Sequence, residues 1–245
     1  MTQDPSPTVR VQAHDGWGEL ILSRPARKNA LIGPMASELR AGLAALMAGG
    51  ARAIVLRGDG GVFCSGLDVD AFAEDPAPDW RAGWSQEWAG WHLDLFHCRA
   101  VIICALERYA INAGASMALA ADLLIAGETS SLLIGEAALG MHAPMNLAWL
   151  RLRTHEAIAA QLALGARRTS AADLLRLGLA YEVVADDDVA PRALALAAQL
   201  AGYPGQGLAA IKTALRKPAP EGGDAVFAAV QATGLATAAP ARISP

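Results

Sequence analysis

Short apolar runs and helical repeats alternate along the first two thirds of the chain. Residues 9–13 and 17–22 are apolar-rich runs joined by His14-Asp15-Gly16, which predicts a β-hairpin. Residues 34–47 place a leucine or methionine every three or four positions, which predicts an amphipathic helix that ends at Gly49-Gly50. Further strands are predicted at 53–56, 101–105 and 122–126, and a strand over 62–70 is expected to run into a loop at Ser65-Gly66. Helices are predicted at 80–96 and, after a turn of small residues, at 114–121.

Beyond residue 155 the pattern becomes almost entirely helical. One short strand is predicted at 181–184. Helices are predicted at 157–164, 170–177, 189–200, 207–215 and 224–235. Strands that alternate with helices, followed by a helical C-terminal third, indicate an α/β or α+β fold.

Composition narrows the possible function. The chain has 245 residues, of which 53% are hydrophobic, so it has ample material for a core and is not a disordered chain. A net charge of -4 argues against a nucleic-acid-binding surface, which is normally basic. Three cysteines without a CxxC pair make a disulfide scaffold or a cysteine zinc site improbable, and no other metal cluster is visible. A reducing cytoplasm fits this cysteine usage.

Membrane association and secretion are not expected from the sequence. No apolar run approaches the ~20 residues that a membrane span needs. The N-terminal residues are polar and lack the features of a signal peptide.

Tryptophans recur at helical spacing in residues 80–96, where Trp80, Trp84, Trp88 and Trp91 share one stripe with Leu95. Packing in a core or interface is the favoured interpretation. A platform for a flat ligand is the alternative.

Two loops share one design, and both follow an apolar run. Residues 63–68 and 109–116 each run into a turn of small residues, and a helix follows the second turn. Small residues allow a ligand to approach the backbone closely, and a helix N-terminus presents unpaired N–H groups. Two such turns aimed at one oxygen would form an oxyanion hole.

Five motifs in order resemble those of the crotonase superfamily, the enoyl-CoA hydratases and isomerases. They span roughly residues 9 to 217. They are Arg24-Pro25 with Asn29-Ala30-Leu31, Phe63–Asp68, Tyr109–Asp122, Ile134-Gly135-Glu136 with Leu139-Gly140, and Thr169–Ala172 with Leu177–Leu179 and Val183-Val184.

The resemblance implies a spiral of ββα units with two roughly perpendicular sheets. It divides the chain into a flexible N-terminus (1–8), a spiral core (9–185) and a helical C-terminal region (186–245) that forms homotrimers or homohexamers. The implied ligand is an acyl-coenzyme A thioester, with coenzyme A as part of the substrate and no separate cofactor. Neither a nucleic acid nor a membrane is expected as a partner.

The resemblance also assigns site residues. The backbone N–H groups of Leu67 and Ala113 match the oxyanion hole, which stabilises a thioester enolate. Substrate contacts are implied for Arg24, Arg27, Lys28, Ala30, Ser65, Gly66, Asp68, Gly114 and Ser116. For the basic cluster Arg24, Arg27 and Lys28, binding of the coenzyme A phosphates and simple solvation are equally weighted.

The acid/base groups distinguish the reactions of this family. Typical hydratases resemble each other in having two glutamates, whereas this chain has Ser116 at the first position and Glu136 at the second. A serine hydroxyl is a poor base without an activating neighbour, whereas an apolar setting should raise the pKa of Glu136. One carboxylate suffices for a double-bond shift, so an isomerase is favoured. A hydratase, an acyl-CoA hydrolase or decarboxylase, and a catalytically weak acyl-CoA-binding protein stay as alternatives. A capping role for Glu136 also stays open.

Other polar residues near the motifs have two interpretations each. Asp68 is expected to cap the next helix, with a substrate contact as the alternative. His142 is expected at the surface or in packing, with a second acid/base role as the alternative. Glu107 is the reserve carboxylate, and Arg108 beside it adds bulk where the family has small residues. Cys64 is expected to be a small core residue.

The C-terminal end departs from the family pattern. Family members often end in a helix with Phe and Lys or Arg that closes the coenzyme site. Phe227 is present here, but residues 234–245 are rich in Ala and Pro, with Arg242 as the only charge.

Overall fold

The computed structural model describes residues 7–216 and 223–232. The strands in these ranges are β1 (Val9–His14), β2 (Trp17–Leu22), β3 (Ala53–Gly58), β4 (Val101–Leu106), β5 (Tyr109–Ile111), β6 (Leu123–Gly127), β7 (Ser131–Leu133), β8 (Thr169–Ser170) and β9 (Glu182–Val184). The helices are α1 (Gly33–Ala48), α2 (Val69–Phe72), α3 (Trp84–His97), α4 (Ala113–Ala120), α5 (Pro144–Arg153), α6 (Glu156–Ala163), α7 (Ala171–Arg176), α8 (Val189–Ala201), α9 (Gly205–Arg216) and α10 (Gly223–Ala232).

The strands form two sheets, as the mixed α/β prediction requires. The larger sheet has the order β1-β2-β3-β4-β6-β9, and all its pairs are parallel except the β1–β2 hairpin. All six residues of β4 are buried, as expected for a parallel strand covered on both faces. The smaller sheet, β5-β7-β8, pairs β5 with β7 in parallel, and this pair positions the candidate site.

Helix α1 forms where its apolar repeat predicts it. Met35, Leu39, Leu43 and Leu46 are all buried against the sheet. Pro34 lies in the first turn, where a missing N–H costs nothing. Gly50 follows the helix with φ +80°, a conformation that favours glycine.

The tryptophan stripe packs in the core, but the predicted helix over 80–96 is interrupted. A separate 3-10 turn covers Asp79–Arg81, and α3 begins at Trp84. Trp84, Trp88 and Trp91 are buried, and the rings of Trp84 and Trp88 stack with centroids 5.0 Å apart. The interpretation of this stripe as packing is therefore confirmed.

The strand predicted over 62–70 is wrong, whereas the loop predicted within it at Ser65-Gly66 is present. This segment makes single bridge contacts at Cys64 and Leu67, and α2 begins at Val69. Asp68 caps α2 as expected, because its carboxylate accepts a hydrogen bond from Ala71 N–H at 3.3 Å. Strand β5 corresponds to the apolar run predicted to lead into the small-residue turn of 109–116. Helix α5 and the short strands β7 and β8 have no counterpart in the sequence predictions.

The C-terminal helices α8, α9 and α10 pack on the core. Helix α8 covers one face of the larger sheet. Helix α9 is held by Asp122, whose carboxylate lies 2.7 Å from Lys212 Nζ and 2.8 Å from Arg216 Nη2. Phe227 of α10 packs edge-on against Trp149 with ring centroids 5.2 Å apart.

Both predicted termini extend beyond the described residues. Residues 1–6, residues 217–222 and the tail from 233 onward lie outside them. Thr8, which the domain prediction places in the flexible N-terminus, bonds through its hydroxyl to Glu38 at 2.9 Å. Within the described ranges, every helix is too short or too polar to cross a bilayer.

Candidate active site

The carboxyl ends of β5 and β7 bring two functional segments side by side. Ile111 lies opposite Leu133 in this parallel pair. One residue further on, Asn112 N–H donates to Leu133 O at 2.8 Å, and Gly135 N–H donates to Asn112 Oδ1 at 2.8 Å. Asn112 has φ +51°, in the left-handed half of the map that non-glycine residues rarely occupy. The chain therefore enters α4 at Ala113 directly beside the segment that carries Glu136.

The loop at residues 63–68 is fixed against a third segment by a parallel bridge between Leu31 and Leu67. Leu31 N–H donates to Gly66 O at 2.8 Å, and Asp68 N–H donates to Leu31 O at 2.9 Å. In such a bridge the N–H and C=O of Leu67 itself face away from Leu31. Among the described residues, Leu67 N–H donates no hydrogen bond.

Ala113 N–H is also without an acceptor in the described part of the chain, because it is the first residue of α4. The first bond of this helix runs from Ser116 N–H to Asn112 O at 3.1 Å. N–H groups before that bond have no partner within the helix, and they carry its positive partial charge.

Two glycines let these loops pack in direct contact. A Cβ on Gly114 would lie 2.8 Å from Cys64 Cβ, and a Cβ on Gly66 would lie 3.0 Å from Ile111 O. Gly66 also has φ +93°. The segments that carry the N–H groups of Leu67 and Ala113 are thus pressed together with no room for a side chain between them.

Glu136 begins a 3-10 turn, Glu136–Leu139, and its side chain is buried. Burial raises the pKa of this carboxyl from 4.5 to about 7, although the backbone N–H of Glu136, the Asn146 amide and the backbone N–H of Gly135 lower it in part. Its two oxygens differ: Oε1 accepts from Asn146 Nδ2 at 3.1 Å, whereas the buried Oε2 has no partner in the described residues. A carboxyl in this state can exchange a proton near neutral pH at Oε2.

Ser116 lies in a linear series of hydrogen bonds in which every member has a partner. Trp149 Nε1–H donates to His92 Nδ1 at 2.9 Å, and His92 Nε2 lies 3.1 Å from Ser116 Oγ. Ser116 Oγ in turn donates to Ala113 O at 2.7 Å. Because the indole donates to Nδ1, the imidazole proton is on Nε2, and Nε2–H donates to Ser116 Oγ.

This order of donors prevents His92 from activating Ser116. Burial lowers the pKa of His92 to about 3, so the ring is neutral at physiological pH. Its nitrogen facing the hydroxyl already carries a hydrogen and cannot accept another. Ser116 is therefore neither a base nor an activated nucleophile in this arrangement.

The basic cluster at residues 24–28 is joined to two carboxylates. Arg24 Nη2 and Arg27 Nη2 lie 2.9 and 2.6 Å from oxygens of Asp68, and Arg27 also contacts Asp70 at 2.9 Å. Lys28 is exposed and makes no ion pair within the described residues. The structure thus brings Arg24, Arg27 and Asp68 together, and Lys28 is exposed beside them.

The other predicted substrate contacts line the same loops. Ala30 is buried, and its carbonyl accepts from the Arg24 guanidinium. Ser65 N–H donates to Lys28 O at 3.1 Å, which ties the basic segment to the loop at 63–68.

The reserve candidates lie in other surroundings. Burial raises the pKa of Glu107, and the nearby charges are Arg57 and Asp59. Arg108 is exposed with φ +59°. Burial raises the pKa of Cys64 to about 12, which makes it an inert core thiol, as expected. His142 is half-buried between the Glu136 turn and α5.

Sequence reasoning missed three polar residues of the site: Asn112, Asn146 and His92. Asn112 stands in the small-residue turn, so its amide was visible but had no predicted partner. Asn146 lies on the unpredicted helix α5, just after Pro144, which is a helix-start signal that could have revealed it. His92 is hidden in the tryptophan stripe.

Comparisons with known proteins agree with this architecture. Residues 13–237 match the family model described as enoyl-CoA hydratase/isomerase. A probable enoyl-CoA hydratase of Rhodobacter capsulatus is 34% identical over 209 residues, which cover 84% of this chain and 80% of that protein. The 1,2-epoxyphenylacetyl-CoA isomerase of Escherichia coli is 31% identical over 80% of this chain and 77% of its own.

Among solved structures, an enoyl-CoA hydratase/isomerase from Mycobacterium paratuberculosis superposes with a TM-score of 0.82 at 25% identity. The match covers 94% of this chain and 91% of that one. The predicted crotonase fold is thereby confirmed.

Proposed function

Because this chain belongs to the enoyl-CoA hydratase/isomerase family, we propose that it shifts the double bond of an enoyl-CoA thioester with Glu136 as the only proton carrier. The observation that carries this proposal is the buried Glu136 carboxyl beside the N-terminus of α4, whose pKa burial raises to about 7. Ser116, at the position where typical hydratases have their first glutamate, is engaged in hydrogen bonds with His92 and Ala113 O.

The oxyanion hole of this proposal consists of Leu67 N–H and Ala113 N–H. A thioester oxygen that accepts both would be stabilised most strongly when it becomes an enolate oxygen. The positive end of α4 adds to this stabilisation. Neither group has another acceptor in the described residues, which supports this role.

Glu136 then moves one proton. As the carboxylate, it removes a proton from carbon 2 of a 3-enoyl-CoA, and the electron pair of that C–H bond passes into the enolate. The enolate collapses as Glu136 returns the proton to carbon 4, which leaves the double bond between carbons 2 and 3. No other reactant is consumed, and the carboxylate is regenerated.

Water addition to a 2-enoyl-CoA is the second candidate function, favoured by the relative named a probable hydratase. Hydration requires activation of water and delivery of a proton to the adjacent carbon, a task suited to two carboxylates. Ser116 supplies no second carboxylate, and Glu107 lies beside Arg57 and Asp59 instead. We therefore rank isomerisation first.

For coenzyme A, we propose that Lys28 meets the phosphates, with Arg27 beside it. Arg24 and Asp68 hold the loop in place, because both lie largely buried in their ion pair. Ala30, Ser65, Gly66, Gly114 and Ser116 shape the wall next to the thioester.

We also propose a homotrimer or homohexamer located in the cytoplasm. Ile211 and Leu215 on α9 are 62% and 76% exposed, which is unusual for neighbouring large apolar side chains on one helix. Light scattering at micromolar concentration should give a mass of three or six chains. A monomer would contradict the oligomer without affecting the chemistry.

A substrate panel tests the proposed reaction. The purified protein is incubated with 3-enoyl-, 2-enoyl- and saturated acyl-CoA, and the products are separated and weighed by mass spectrometry. Isomerisation gives a 2-enoyl product of unchanged mass from the 3-enoyl substrate. Products with one added water would establish the hydratase instead, free coenzyme A would indicate a hydrolase, and binding without turnover would indicate an acyl-CoA-binding protein.

A further inference from the structure

Asn146 contacts both halves of the candidate site. It is 2% exposed and projects from α5. Its Nδ2 donates to Glu136 Oε1 at 3.1 Å and to Asn112 O at 3.0 Å. The Asn112 carbonyl can only accept, so the NH2 end of the amide must face it, and this fixes the orientation of the Asn146 side chain.

The Asn112 carbonyl belongs to the same peptide unit as Ala113 N–H. Because a peptide unit is planar, a hydrogen bond at its oxygen also fixes the direction of its N–H. The same bond polarises the peptide and makes Ala113 N–H a stronger donor. Asn146 therefore acts on the proposed oxyanion hole through one hydrogen and on the proposed proton carrier through the other.

The hydrogen bond from Asn146 to Glu136 also distinguishes the two carboxyl oxygens. Because a carbonyl oxygen accepts better than a hydroxyl oxygen, the contact of Asn146 with Oε1 favours the proton of the neutral carboxyl on Oε2, which has no partner among the described residues. Both protonation states of Glu136 accept from Asn146 at Oε1, so the contact persists while the proton comes and goes at Oε2.

We propose that Asn146 is a positioning residue that couples Glu136 to the Ala113 peptide and restricts proton exchange to Glu136 Oε2. This inference rests on the proposed function of Glu136 and Ala113. It adds a residue of α5, an element outside the motifs that resemble the family, to the machinery of the reaction.

The first test measures the contact without measuring activity. The chain contains only three asparagines, Asn29, Asn112 and Asn146, so selective 15N-asparagine labelling gives three side-chain amide signals. In the native protein, one amide signal should titrate with Glu136 near pH 7. That titration should disappear in Glu136→Gln. Three amide signals that are flat between pH 5 and pH 9 would overturn the inference.

The second test uses Asn146→Asp and Asn146→Leu. Both remove the donor that stabilises the Glu136 carboxylate, and the aspartate adds a like charge. The acidic limb of kcat/KM should therefore move up by about one pH unit. With the peptide and the carboxyl less well oriented, kcat should fall at least about tenfold at the new optimum.

Asn29→Asp is the matched control, because Asn29 is also buried but donates to Val62 O and Asp59 O, away from Glu136. It should leave the acidic limb in place even if it lowers stability. A loss of kcat in the Asn146 variants without movement of the limb would show a merely structural role and overturn the inference. If neither variant folds, the titration of the native amide decides.

The two tests also separate this inference from the proposed function. Full activity of Glu136→Gln would refute Glu136 as the proton carrier, whatever the amide signals do. An inactive Glu136→Gln together with flat amide signals would refute only the role of Asn146.

Discussion

Two buried polar clusters flank the first turn of α4, and they differ in how completely their hydrogen bonds are satisfied. In the Ser116 cluster, Trp149, His92 and Ser116 pass hydrogen bonds in one direction to Ala113 O. In the Glu136 cluster, Glu136 Oε2 and Asn146 Oδ1 are buried and unpartnered among the described residues. The hydrogen bonds of the Ser116 cluster are all satisfied, whereas the Glu136 cluster has two acceptors without a donor in the described residues.

This difference separates a structural network from a chemical one. A buried polar group without a partner costs free energy, so folded proteins rarely keep one unless it serves a purpose. Complete satisfaction fixes one tautomer of His92 and leaves no site for a moving proton. Burial raises the pKa of the Glu136 carboxyl to near neutrality, and its unpartnered oxygen can receive a proton from a substrate.

The largest expected effect is on catalysis at Glu136. Glu136→Gln keeps the size of the side chain and the acceptor for Asn146 but removes the exchangeable proton. Turnover of a 3-enoyl-CoA should fall by about 10²–10⁴-fold, with KM little changed. Steady-state kinetics measure this, and native-like circular dichroism is the control. Full activity of the variant would move the search to Glu107 or His142.

The second effect is on stability as a function of pH. The folded protein raises the pKa of Glu136 from 4.5 to about 7, so it binds this proton more tightly than the unfolded chain does. The native protein should therefore lose about 3 kcal/mol of unfolding free energy as pH rises from 4.5 to 7, and no more above that.

Glu136→Gln lacks this proton and should lack this loss. Urea denaturation of both proteins at several pH values measures the difference, in which all other titrating groups cancel. If the difference in unfolding free energy between the two proteins stays constant with pH, the pKa of Glu136 is not raised by folding.

The third effect is the stability of the closed network. Trp149→Phe removes the N–H that donates to His92 Nδ1 and leaves a buried acceptor without a partner. This should cost about 1–3 kcal/mol, in addition to lost packing against Phe227. Urea midpoints measure the loss. An unchanged acidic limb of kcat/KM is the control, because this network does not reach Glu136. A shift of the acidic limb in Trp149→Phe would show that the Ser116 and Glu136 clusters are coupled.

The sequence predicted the parts of this site that backbone patterns encode. Apolar periodicity located α1 within a few residues, and the small-residue turns located both loops of the proposed hole and the start of α4. The apolar neighbours of Glu136 indicated its burial and the direction of its pKa shift. These features depend on residues close together in the chain, so a single sequence reveals them.

The missed features depend on contacts between distant segments. Strands β5 and β7 have three residues each, too few to show a period, yet their pairing places Asn112 beside Gly135. His92 and Ser116 are 24 positions apart, and Trp149 is a further 33 along the chain. Whether Ser116 has an activating base could be decided only after the three side chains were placed together.

The smallest expected effect is the one that distinguishes the two clusters most sharply. Ser116→Ala removes a hydroxyl that donates to Ala113 O and accepts from His92 Nε2–H. It leaves the Ala113 N–H, Asn146 and Glu136 untouched. If Ser116 only completes a network, kcat on a 3-enoyl-CoA should fall less than about tenfold, corresponding to about 1.4 kcal/mol of activation free energy. The His92 Nε2–H, left without an acceptor, should still lower the urea midpoint, and this confirms that the substitution perturbs the network.

If Ser116→Ala instead abolished release of free coenzyme A from a saturated acyl-CoA, Ser116 would be a nucleophile. His92 would then have to present a bare nitrogen to it, and the donor order from Trp149 through His92 would be wrong.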